Sequence, residues 1–134
     1  MKRKTTRTAA ALCGAAAILG ALATTAAAAP AQQPAPAVFT TWATDVNARV
    51  DVDGSTGFRC PEHPSPATCP KVTGRSQPGD RLEVLCQTRG ETVGGNPYWV
   101  YVQNTTRGFH GWTAGYYIAH PDNWLPGVHQ CYGP

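Results

Sequence analysis

The sequence predicts a small all-β fold, a barrel of short strands stapled by disulfides, made as an exported precursor. Two observations predict the β class. No apolar stripe recurs at three- and four-residue spacing over a useful length, and short β-branched or aromatic runs alternate with Pro- and Gly-rich turns. A third predicts the staples. Of the five cysteines, one falls in the N-terminal leader, and Cys60, Cys69, Cys86 and Cys131 form an even set downstream of it.

The leader comes first. Lys2, Arg3, Lys4 and Arg7 precede an apolar, alanine-rich run from Ala9 to Ala23, and the small residues Ala26 to Ala29 follow. This is the charged, apolar and small-residue order of a signal peptide. A membrane span would need about 20 strongly apolar residues, and this run is mostly alanine. The expected signal is 1–28, cleaved after Ala28, giving a product free of the membrane that is secreted, extracellular or wall-associated. Cleavage removes four of the eleven basic residues and none of the eight acidic ones, so seven bases face eight acids at a net charge of −1 with histidines neutral. Phosphate binding needs clustered Lys and Arg, and the few left are scattered, which sets nucleic acid aside.

Residues 29–41, rich in Ala, Gln and Pro, read as a flexible spacer. The rest, 42–134, has room for one domain and contains no repeat. Val46, Ala48, Val50 and Val52 alternate with Asn47, Arg49 and Asp51, the period of a strand buried on one face. Asp53 to Arg75 reads as a long loop stapled at its base. Gln77-Pro78-Gly79-Asp80 is a turn in which Pro presets one dihedral and Gly accepts the positive one. It opens onto a strand from Arg81 to Gln87, with Leu82, Val84 and Cys86 on one face. Arg89 to Asn96 reads as a polar connection, Tyr98 to Val102 as an aromatic and β-branched strand, and Gly108 to Thr113 as a short strand around Trp112. Short strands, frequent turns and little helix suggest a small barrel.

Four cysteines allow three pairings. Cys60–Cys69 with Cys86–Cys131 is favoured, because the first closes one proline-rich loop and the second ties the tail to a strand. Zinc is the rival reading, but no pair has the two-residue spacing of zinc ligands.

From Val46 to Ile118 the chain resembles the bacterial Src-homology-3 family, small exported β barrels of bacterial cell envelopes. Val46-Asn47-Ala48-Arg49 is similar to the family's opening strand of alternating apolar residues with Asn and Arg, and Val72-Thr73-Gly74 before Pro78-Gly79-Asp80 continues it. Tyr98-Trp99-Val100-Tyr101-Val102 resembles its aromatic strand. Gly111-Trp112-Thr113-Ala114-Gly115-Tyr116-Tyr117-Ile118 resembles its close, a strand followed by a 3₁₀ turn. The resemblance implies an SH3-like barrel whose Tyr117 stands beside a peptide groove. Two features depart from the pattern: the insert carrying Cys60 and Cys69, and the tail from Ala119 to Pro134.

An enzyme is not expected, nor a cofactor. Cys86 with His110 or His120 would need a free thiol, which the even cysteine count opposes. His63, His110, His120 and His129 fall in different segments with no spacing that converges them, and Asp45, Asp51 and Asp53 lack the glycine-spaced loop of a calcium site. What stands out is aromatic: the chain has four Trp and five Tyr, more than a barrel this small can hide. Trp112, and one of Trp99 or Tyr101, are expected in the core. Trp99, Tyr98, Tyr117 and Tyr116 are the candidate groove rings, with Asn47, Arg49 or Asp53 to fix the ligand's polar groups. The expected function is non-enzymatic binding of an extended peptide or the peptide part of the cell wall. The alternative is a secreted inhibitor or interaction protein that inserts its Cys60–Cys69 loop, with Pro61, Pro64 and Pro66, into a protein partner.

Overall fold

Val46, Ala48 and Val50 are buried while Asn47 and Arg49 between them are half-buried, so the strand expected here forms with the expected period, but it ends at Val50: Val52, expected on the same buried face, is 73% exposed. The structure, a computed structural model, describes residues 26–52 and 59–132. Most of the predicted leader and Asp53 therefore lie outside the described residues. The elements are β1 (Ala37–Phe39), β2 (Val46–Val50), a single helical turn α1 (Arg59–Glu62), β3 (Lys71–Ser76), β4 (Leu82–Val93), β5 (Asn96–Asn104) and β6 (Phe109–Ala114), followed by a 3₁₀ turn (Gly115–Tyr117). The six strands make one antiparallel sheet in the order β1-β4-β5-β6-β2-β3. The chain is thus a small all-β fold with two disulfides.

Both faces of this sheet carry a core. One face holds Leu82, Val84, Val100 and Val102 with Ile118, Leu125 and Val128. The other holds Trp99, Trp112 and Ala114 under the Cys60–Cys69 disulfide. Strand pairing explains the second cluster: Trp99 sits opposite Ala114, and Tyr101 and Arg49 both sit opposite Trp112, so these residues share a face. Of the two rings offered for the core, Trp99 is buried and Tyr101 is half-buried. The second disulfide joins Cys86 to Cys131, so the favoured pairing is the one present.

Four further expectations change. The spacer predicted over 29–41 gives up residues 37–39 to β1, which pairs with β4, and Thr41 bridges to Ile118. Ala37 and Phe39 pack on the first core, which offsets the cost of ordering this stretch. The loop predicted over 53–75 ends in β3, whose side chains are mostly exposed and leave no alternation to read. Arg89 to Asn96 is not a connection: β4 runs on to Val93, and a two-residue turn leads into β5. That turn is Gly94-Gly95, with φ of 55° and 82°, the positive pair that a tight hairpin needs and glycine supplies. Finally, Cys86 does not share the face of Leu82 and Val84. A bulge between Val84 and Cys86 inserts one residue, turning Cys86 toward the tryptophan cluster and Gln87 into the first core.

The tail beyond the 3₁₀ turn belongs to the fold. Leu125 and Val128 are buried in the first core, and Gln87, fully buried, clamps them. Its Nε2 donates to the carbonyls of Leu125 (2.8 Å) and Val128 (2.7 Å), while its Oε1 accepts from the Leu125 N–H at 2.8 Å. Among the described residues no helix is long and apolar enough to cross a membrane.

Candidate functional site

The alternation of β2 that buries its valines also turns Asn47 and Arg49 to the opposite face, where Trp99 of β5 and Ala114 of β6 lie. On this face a cavity of about 220 Å³ opens. Asn47 and Arg49 line it with Trp99, Tyr117 of the 3₁₀ turn, Val93 at the end of β4, and Pro66 from the stapled loop. Thr44 and Asp45, just before β2, complete the rim. Ligand pockets generally run from about 300 Å³ upward, so this one suits a single residue or end group of a longer ligand.

Each wall has a local cause. Trp99 is 3% exposed, and its Nε1–H donates to the Glu91 carbonyl at 2.8 Å, leaving the ring as a fixed surface with its polar atom engaged. Gly90 makes room for it: a Cβ there would lie 2.5 Å from Trp99 Cδ1 and would overlap the Pro64 carbonyl oxygen. That oxygen accepts the Glu91 N–H at 2.9 Å, which docks the stapled loop on β4 and presents Pro66 to the cavity. Tyr117 is half-buried and braced by Tyr116, edge-on at 5.1 Å, and by Trp42 at 5.9 Å.

The polar groups are arranged unevenly. Asn47 Oδ1 accepts from Arg75 Nε at 3.2 Å, so its amide nitrogen is the part left to face a ligand. Among the described residues no carboxylate lies within ion-pair distance of Arg49. Asp45 has a left-handed backbone (φ 54°) and is tied to Gln77, whose Nε2 donates to Asp45 Oδ1 at 2.8 Å and whose Oε1 accepts the Asp45 N–H at 3.3 Å.

Of the seven residues singled out in the sequence, Asn47, Arg49, Trp99 and Tyr117 thus meet at one cavity, and Asp53 lies outside the described residues. Tyr98 and Tyr116 do not line it. Tyr98 packs edge-on against Trp124 at 5.0 Å with the Arg89 guanidinium over its ring, and Tyr116 packs on Trp42 at 5.4 Å and over Gly94. Sequence reading did not name Thr44, Val46, Val93 and Ala114 as site residues, placed Pro66 only in the loop of the alternative reading, and weighed Asp45 for calcium and set it aside. Their contribution is a position in space, for which a residue type gives no signal. A larger cavity of about 610 Å³ lies between 33–37, β4 and 127–129, but its lining offers few convergent polar side chains.

All four downstream cysteines are oxidised, so Cys86 has no thiol to offer as a nucleophile. Among the described residues no three His, Cys, Asp or Glu side chains converge as metal ligands. No protein-family model matches the chain, and no curated protein or solved structure matches it.

Proposed function

We propose that the protein is an exported, non-enzymatic binding module of the bacterial Src-homology-3 type, which holds an extended peptide or the peptide part of the cell wall. The observation that carries this reading is the convergence of Asn47, Arg49, Trp99 and Tyr117 on one small cavity. Aromatic walls bury area at low entropic cost, and the two polar side chains fix orientation. The resemblance of Val46 to Arg49, Tyr98 to Val102 and Gly111 to Ile118 to that family supports the same reading. The stapled loop enters it as a wall of the groove: Pro64 is buried against β4 and the disulfide is fully buried, which favours a supporting role over insertion into a partner. A small exposed groove of this kind binds in the roughly micromolar range.

The test is co-sedimentation of the oxidised protein with purified peptidoglycan sacculi beside Tyr117→Ala and Arg49→Gln variants, with the supernatant assayed for released fragments. Association weakened in both variants, without fragments, is the expected result. Equal binding by the variants, or fragment release, contradicts the reading. Trp99→Ala is a poor probe here, because truncating a buried tryptophan costs about 3–5 kcal/mol of stability and confounds folding with binding.

A further inference from the structure

We propose that the cavity holds the free C-terminal carboxylate of a peptide, accepted by the Arg49 guanidinium and the Asn47 amide, with the terminal side chain lying against Trp99 and Tyr117. This rests on the binding-module reading and names the group that anchors the ligand.

Arg49 lines the cavity half-buried, and among the described residues it has no ion-pair partner. A guanidinium is always charged and presents a planar fork that matches a carboxylate at two points. Asn47 lies two residues earlier on the same face, and its carbonyl is already taken by Arg75, so it adds a donor. Trp99 has spent its N–H on Glu91. The strand thus offers the ligand donors, which a carboxylate satisfies and a neutral amide cannot match on both of its atoms. Among the described residues Asp45 is the one carboxylate that lines the cavity, and its Oδ1 is occupied by Gln77. Among the described residues lining the cavity, Arg49 and Asp45 balance in charge, and Arg75, on the strand beside β2, adds a positive charge next to Asn47. The volume of about 220 Å³ suits an end group of a longer ligand.

The experiment titrates isotope-labelled oxidised protein with N-acetyl-Ala-Ala-Ala and N-acetyl-Ala-Ala-Leu, each as the free acid and as the C-terminal carboxamide, following backbone amide shifts. The acids should bind about ten- to a hundredfold more tightly than the amides, the range of one to two charge-assisted hydrogen bonds. Arg49→Gln should abolish that difference by bringing the acids down to the affinity of the amides, and Arg49→Lys should restore part of it. An unperturbed spectrum away from the cavity checks that each variant folds. Acid and amide binding alike, with Tyr117→Ala weakening both, overturns the carboxylate assignment and leaves the groove standing. Shifts at no cavity residue with any of the four peptides overturn both.

Discussion

Gly90 stands where the stapled loop, β4 and the Trp99 ring meet, and no side chain fits there. A Cβ would press on the Pro64 carbonyl and on Trp99 Cδ1 together, and neither is the free end of a flexible side chain. Gly90→Ala should therefore destabilise the protein by about 1–3 kcal/mol, the usual cost of overpacking, read as a lower urea midpoint. An unchanged midpoint would mean that loop and indole move apart freely. Single residues were readable from sequence where strand period decides: the alternation from Val46 to Val50 placed Asn47 and Arg49 on one face together. It could not rank the aromatic rings. Trp99 and Tyr98 are neighbours of similar chemistry, yet one is a cavity wall and the other packs on Trp124, a residue 26 positions from it in the tail.

At the scale of elements, the tail and the N-terminal strand are structural parts of the sheet's first core. Gln87 is the hinge of that arrangement because the bulge before Cys86 turns it inward, where its amide serves three backbone groups of the tail. Gln87→Leu preserves volume but leaves those groups unpaired, at a cost of roughly 2–4 kcal/mol. Its denaturation should show that loss with both disulfides intact; a variant as stable as the parent would show that the staple alone holds the tail. The bulge was not legible, since Leu82, Val84 and Cys86 read as one regular face and a one-residue insertion leaves no compositional mark. Nor was β1: three residues in an Ala- and Pro-rich stretch form a strand here because β4 offers an edge and the core accepts Phe39. The turn at Gln77 to Asp80 was legible, because Pro78 and Gly79 state their dihedrals directly; Gly79 has φ 90° and the Asp80 N–H donates to the Gln77 carbonyl at 3.0 Å.

At the scale of the whole molecule, one buried acid links that turn to the β5–β6 turn and makes stability depend on pH. Burial pushes the Asp80 carboxyl up, but hydrogen bonds from Asn104 (2.9 Å), the Gln77 N–H (2.9 Å) and Arg107 (2.6 Å), with the charge of Arg107, outweigh it and hold the group below the ordinary carboxylate range. A carboxyl lowered in the folded state contributes stability that is complete above its unfolded value, near 3.9, and is lost as pH falls toward the folded one. Urea midpoints should thus fall below about pH 4. Asp80→Asn should lower the midpoint at neutral pH and flatten that acid limb, and an acid limb as steep as the parent's would assign the loss to other carboxylates. The central claim is that the face built by β2, β5 and the 3₁₀ turn is where ligand binds. The measurement that tests it most directly is a backbone and indole amide titration of the oxidised protein with solubilised peptidoglycan fragments. Saturable shifts are expected at Asn47, Arg49, Val93, Tyr117 and the Trp99 indole; shifts confined to the exposed side of the Cys60–Cys69 loop, or none at any of these residues, would place the ligand elsewhere.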